Sequence, residues 1–375
     1  MKNYRVLTLF VAFWAITFST FAQEEEEPEM VVASSLKVNT TGIDPTAQKE
    51  YNNAISATEV RDYNKAYRLF SEAIKIAPDF TKAYINRGHV LVNLERFEEA
   101  KADYLKAVTL DPSLDAVYVE LGSLAATQDS LTEALNYLQK AHTIDPSNQK
   151  YSYQLGVYYF LIEDYETAVN YFTNIIDVIA KSPNIDLSTA QVYNDRGAAF
   201  KELDKVDEAI ADFLMAFKLD PQLVVAQTNL GAIYREQKNY SEAIRFYSQA
   251  LFIDQHNTWI RNNRALSYFE QGDYEAAKRD LKAILEFQAD DVFAYNNLAG
   301  IALKEKDYQA AIDYANQAIA VDANAGQAYC NRGIANEMLR NEAAACADWS
   351  TAAGLGIDIA DRFFQRNNCS SLISE

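Results

Sequence analysis

Histidine and cysteine are scarce, three of each in 375 residues. His89, His142 and His256 lie far apart, with no second histidine or cysteine at metal-ligand spacing, so no zinc site is expected. The chain also lacks a Ser/His/Asp elbow, a phosphate-cradling glycine loop and a dinucleotide fingerprint. An enzyme is therefore not expected, and neither is a cofactor. Positive charge is in deficit: 34 Lys and Arg stand against 53 Asp and Glu, a formal net charge of −19. Such a surface repels phosphate backbones, which excludes nucleic acid as a main partner. Glycine numbers only 12, yet half of these residues fall on one regular ladder.

Gly88, Gly122 and Gly156 are 34 residues apart, and Ala100, Ala134 and Ala168 follow them by twelve. Gly197 comes after seven extra residues, and the period then resumes with Gly231, Ala265, Ala299 and Gly333. The partner alanines are Ala209, Ala243, Ala277, Ala311 and Ala345, and Ala54 with Ala66 form a degenerate first copy. Nine copies result, starting near Ala47, Thr81, Asp115, Gln149, Ala190, Val224, Thr258, Val292 and Gly326. A period of this length marks stacked supersecondary units that share a continuous core.

Each copy reads as two helices. In the second copy Tyr84, Arg87, Gly88 and Leu91 fall on one helical face. A break follows at Leu94-Glu95-Arg96, and a second helix carries Ala100, Tyr104 and Ala107 up to Asp111-Pro112. Small residues at Gly88 and Ala100 let the two backbones approach closely. The proline recurs at Pro78, Pro146 and Pro221 but is replaced at Ala180, Gln255, Ala289 and Ala323, where looser turns are expected. Tyr63, Tyr165, Tyr240, Tyr274 and Tyr308 open the second helices and read as packing residues.

The series aromatic, Leu-Gly, aromatic, Ala, aromatic, Ala, Pro resembles the tetratricopeptide repeat over residues 47 to 357. The resemblance implies an all-α, right-handed superhelical solenoid of about nine repeats with a carboxy-terminal capping helix. It also implies a non-catalytic scaffold for protein partners.

Residues 1–22 read as a signal peptide: Lys2 and Arg5, apolar residues from Val6 to Phe18, then Thr20-Phe21-Ala22. No cysteine follows the apolar stretch, which argues against a lipoprotein anchor. An uncleaved anchor is the competing reading, although the stretch is short for a span. Residues 23–46 form an acidic tether rich in glutamate, then in Ser and Thr, expected to be disordered. Residues 358–375 are the capping helix and tail, and an insertion lies near 181–189, around Ser182-Pro183-Asn184. The protein is thus expected to be exported, to a bacterial periplasm or beyond, with no membrane span after signal removal. In such a compartment Cys346 and Cys369 face each other across the break at Ala353-Gly354-Leu355-Gly356. An antiparallel hairpin would join them in a disulfide, resembling the cap of exported bacterial proteins of this family.

Copies can also be compared with one another. Arg precedes the glycine slot in four of them, and each of these has Asp sixteen residues later. The pairs are Arg87 with Asp103, Arg196 with Asp212, Arg264 with Asp280, and Arg332 with Asp348. Elsewhere Leu is matched by an aromatic: Leu121 with Tyr137, Leu155 with Tyr171, Leu230 with Phe246, Leu298 with Tyr314. Covariation within one chain points to contact, hence a structural Arg–Asp bridge inside a repeat.

The family resemblance implies that the second, fifth, sixth, ninth, twelfth and thirteenth positions of the first helices line a concave groove. Asn229, Asn263, Asn297 and Asn331 hold the sixth position in four consecutive copies. This row looks like the asparagine ladder of the O-linked N-acetylglucosamine transferases. Such amides could hold an extended peptide by its backbone, or could simply bridge neighbouring helices. The fifth positions carry no lysine, so the family's carboxylate clamp is absent. Trp259 and Phe293, with Tyr153, Phe160 and Phe269, could supply side-chain pockets. Arg235 and Lys304 add positive charge beside Glu236 and Glu270. Glycan or cell-wall binding through these aromatics is the alternative function.

Overall fold

The computed structural model describes residues 42–181, 187–367 and 369. The proposed signal peptide, all of the acidic tether before Gly42, and Ser182-Pro183-Asn184 lie outside the described residues. Nineteen helices and no strand make up the described part. Eighteen of them form nine antiparallel pairs. The first four pairs are α1 (Pro45–Glu59) with α2 (Tyr63–Ile76), α3 (Thr81–Asn93) with α4 (Phe97–Leu110), α5 (Asp115–Thr127) with α6 (Leu131–Ile144), and α7 (Gln149–Leu161) with α8 (Tyr165–Lys181). Then come α9 (Thr189–Glu202) with α10 (Val206–Leu219), α11 (Val224–Glu236) with α12 (Tyr240–Ile253), and α13 (Thr258–Gln271) with α14 (Tyr274–Phe287). The last pairs are α15 (Val292–Glu305) with α16 (Tyr308–Val321) and α17 (Gly326–Met338) with α18 (Glu342–Gly354), followed by the single helix α19 (Asp358–Arg366). The result is an all-α repeat solenoid. Contacts group it into two compact units, Met1–Asp212 and Phe213–Glu375.

The first helix begins at Pro45, two residues before the boundary read from the period. Asp44 caps it, its carboxylate accepting from the Thr46 and Ala47 amides. Between the two helices of each copy the chain makes the same turn. Arg61, Glu95, Asp129, Glu163, Asp204, Lys238, Lys306 and Arg340 take positive φ there, and Gly272 holds that place in the seventh copy. A left-handed residue ends a helix sharply, at a cost of about 1–2 kcal/mol for a side chain with a Cβ.

The turns without proline are not looser. Helices α12, α14 and α16 stop at Ile253, Phe287 and Val321, the same slot as in copies that keep the proline. An aspartate closes the turn beside the proline in three copies and without it in the eighth, at Asp322. The Asp111, Asp145, Asp220 and Asp322 carboxylates accept from the amide two residues on, closing a local ring that competes with the helix. Only at Ala180 does the helix run on, to Lys181.

The alanines of the ladder are at most 1% exposed in every copy, from Ala66 to Ala345. Four of the glycines serve a side-chain contact rather than the backbone approach expected of them. A methyl group at Gly156 would lie 2.7 Å from the Phe172 ring, at Gly231 2.7 Å from the Tyr247 ring, and at Gly333 2.5 Å from the Trp349 indole. Gly88 meets the Tyr104 ring in the same way. Each of these four thus makes room for a fully buried aromatic sixteen residues later, whereas at Gly122, with Leu138 at that step, a methyl group would lie 3.3 Å from the Ala134 carbonyl oxygen, the backbone approach expected. Where alanine replaces the glycine, the partner shrinks, to Leu281 opposite Ala265 and to Ala315 opposite Ala299. Ala54 with Phe70 departs from this pattern.

Candidate functional site

The four Arg–Asp pairs sit beside this column. Arg87 donates from Nε and Nη2 to the two Asp103 oxygens, both at 2.7 Å. Arg196 reaches Asp212 at 2.7 and 2.8 Å, and Arg264 reaches Asp280 at 2.8 and 2.6 Å. Arg332 holds Asp348 at 2.7 to 3.2 Å. The planar guanidinium fork matches the carboxylate, giving two charge-assisted bonds per pair. Burial raises the Asp103 carboxyl above its ordinary range even with Arg87 bonded to it.

The third guanidinium nitrogen makes a contact the sequence reading missed. Nη1 of Arg87, Arg264 and Arg332 donates to Ser71, Ser248 and Asn316, sixteen residues upstream in the preceding copy. Arg196 reaches Thr173 likewise, across the insertion. Each arginine therefore joins three helices. A polar residue at the upstream position was the available signal.

On the other side of the first helices, the sixth-position residues bridge copies. Asn86 donates to the Tyr51 hydroxyl at 2.7 Å, and burial holds that hydroxyl up at a pKa of about 12. Asp195 accepts from Tyr153 at 2.6 Å, from Gln191 at 2.8 Å and from Asn194 at 3.2 Å. Burial lifts its carboxyl to a pKa of about 6, although all three donors oppose the shift. Asn297 Nδ2 donates to Asn262 Oδ1 at 2.8 Å, and Asn331 Nδ2 to Asn296 Oδ1 at 2.9 Å. Asn263 instead donates to the Trp259 carbonyl on its own helix, and Asn229 is half-buried.

These bonds fix the amides without exhausting them. The Asn297 carbonyl oxygen and the Asn296 amino group have no hydrogen-bond partner among the described residues. The Gln327 carbonyl oxygen is in the same position, its amino group being turned to Asn331. All three side chains border a cavity of about 240 Å³ in the second unit. Ala265, Leu266 and Phe269 of α13, Leu281 of α14, Gly300 and Ile301 of α15, and Asn331 of α17 complete its lining.

Of the residues the sequence singles out for binding, the cavity gathers Asn297 and Asn331, with Phe269. Trp259 and Phe293 stand outside it on neighbouring first helices, 39% and 71% exposed. Arg235 is turned inward: its Nε is buried without a hydrogen bond, and its charge lies against the buried Tyr247 hydroxyl. Asn296, Gly300 and Gln327 were not singled out. For Asn296 the signal was the 35-residue step from a fifth position to the next copy's sixth, which brings paired amides together.

At the far end, Cys346 and Cys369 are joined by a disulfide with Cα atoms 5.3 Å apart, and Cys330 is a buried free thiol. Among the described residues no helix is long and apolar enough to cross a membrane, and no His, Cys, Asp and Glu group could hold a metal.

Sequence profiles described as tetratricopeptide repeat match residues 81–114, 116–148, 194–258, 234–301 and 294–324. No curated protein matches the chain. Among solved structures, a tetratricopeptide repeat protein from Parabacteroides merdae is 16% identical, with 68% of this chain and 98% of that one aligned at a TM-score of 0.51. The carboxy-terminal part of a repeat protein from Cytophaga hutchinsonii is 15% identical over 73% of this chain and 95% of its own, at 0.47. YrrB, a repeat protein with an unusual peptide-binding site of its own, is 23% identical over 51% of this chain and 95% of that one, at 0.43. Likeness at these identities concerns the fold, and the profiles together span just over half of the sequence. The chain belongs to the tetratricopeptide repeat family.

Proposed function

We propose that this protein is a non-catalytic scaffold that holds an extended segment of a protein partner along its first helices. The observation that carries the reading is the pair of amide bridges, Asn262 with Asn297 and Asn296 with Asn331. Each bridge spends the amino group of one asparagine and the carbonyl of the other. On the first bridge the Asn297 carbonyl stays available to accept a peptide N–H, and Asn296 of the second keeps an amino group to donate to a peptide C=O. An extended backbone offers both groups repeatedly, so such a surface needs little side-chain identity.

The proposal extends to export. Support comes from the disulfide, which persists in oxidising compartments, and from the charged start and apolar stretch of residues 1–22.

The test is binding of fluorescein-labelled unstructured peptides, read by anisotropy, to the full chain and to Asn297→Ala. Loss of one backbone contact should weaken binding about two- to tenfold. Unchanged affinity in a variant with an unchanged melting temperature would refute the groove. Glycan binding has a specific feature in its favour, the exposed Trp259 and Phe293. Quenching of Trp259 by oligosaccharides but not by peptides would select it instead.

A further inference from the structure

Gly300 is the one ladder-independent glycine in the interior of a first helix, nine residues into the fourteen of α15. Glycine there lowers helix stability by about 1 kcal/mol relative to alanine. At Gly88, Gly156, Gly231 and Gly333 an aromatic ring demands it. At Gly300 nothing does, since a methyl group would meet no atom within 4 Å. The corresponding residues of the flanking copies are Leu266 and Ile334. The missing side chain opens onto the 240 Å³ cavity, which Gly300 and Leu266 both border.

We propose that this cavity is a specificity pocket that receives one uncharged aromatic side chain of the bound segment, and that the absent side chain at Gly300 keeps it open. The proposal rests on the groove reading and adds what the groove selects. Size comes first: the volume is below the roughly 300 Å³ at which small-molecule sites begin, and suits one large side chain. Its lining carries no charged residue, so a Lys, Arg, Asp or Glu side chain would be desolvated there without a partner. Ala265, Leu281 and Ile301 are each 1% exposed and give it apolar walls, and Phe269 supplies a ring for edge or offset contact. The open Asn297 and Asn296 groups border the same space, so a backbone held there would carry its side chain into it.

A host–guest series tests this. Labelled Ser/Ala peptides carrying Phe, Leu, Ala, Lys or Glu at one central position are titrated into the full chain and into Gly300→Leu and Gly300→Ala. The Phe guest should bind the natural protein about ten- to a hundredfold tighter than the Ala guest, with Leu between them and Lys and Glu no better than Ala. In Gly300→Leu that preference should vanish while the melting temperature holds or rises, because leucine favours the helix and a filled pocket does not unfold it. Gly300→Ala should lose only part of the preference. If peptides bind but the guest makes no difference, or Lys equals Phe, the pocket is overturned and the groove stands. If no peptide binds the natural protein, the groove and the pocket fall together.

Discussion

Removing the carboxylate from one guanidinium bridge should harm the fold more than replacing the whole bridge. In the fifth copy the Arg196 side chain is 17% exposed and Asp212 7%. Arg196 also lies over the Tyr193 and Phe200 rings and bonds Thr173. Asp212→Leu strands a guanidinium that cannot lose its proton. A fully buried charge stranded in this way costs about 3–5 kcal/mol. The residual exposure and the Thr173 bond bring the expected cost to about 2–3 kcal/mol. Arg196→Leu strands the carboxylate instead, at a similar cost of about 2–3 kcal/mol. The double change Arg196→Leu with Asp212→Tyr copies Leu121 with Tyr137 and should fall within about 1 kcal/mol of the parent. Urea melts at pH 7 supply the comparison. The reasoning fails if the double change is worse than Asp212→Leu, or if every variant lies within about 0.5 kcal/mol of the parent, as solvated surface charges would.

Two further outcomes bear on packing and on pH. Gly156→Ala should cost about 1–3 kcal/mol, because Phe172 is fully buried and cannot retreat, and adding Phe172→Leu should cost less than the sum of the single changes; additive melts would show that the two residues do not share space. The Asp195 carboxyl, held at about 6 against a usual 3.8, contributes most below pH 3.8, and that stability is lost as pH rises through 6. Asp195→Asn should therefore gain on the parent with rising pH, up to about 3 kcal/mol at pH 7.5; a difference between the two that stays constant from pH 4.5 to 7.5 would contradict the burial.

The sequence carried most of the fold because every helix pair repeats the same steric problem. Seven of the nine first helices begin at the residue the period indicates, among them Thr81, Val224 and Gly326. The Arg–Asp geometry was also legible, since comparing copies sixteen residues apart separates ionic from apolar pairs. The same comparison one residue later would have exposed the glycine–aromatic column. The candidate site was harder to see. Whether Asn297 offers its carbonyl or its amino group depends on Asn262 in the preceding copy, and no single copy contains that information. Gly300 carries no pattern at all, and its meaning lies in the space around it.

The arginine bridges group the copies in twos. Arg87 fastens the second copy to the first, Arg196 the fifth to the fourth, Arg264 the seventh to the sixth, and Arg332 the ninth to the eighth. Only the third copy has no such staple to either neighbour. A stack of identical units would flex equally at every joint, each stiffness set by its nearest neighbours. Here the arginine staples set some joints apart from others, so the mechanical repeat should be longer than the sequence repeat. The stapled pairs should move as blocks.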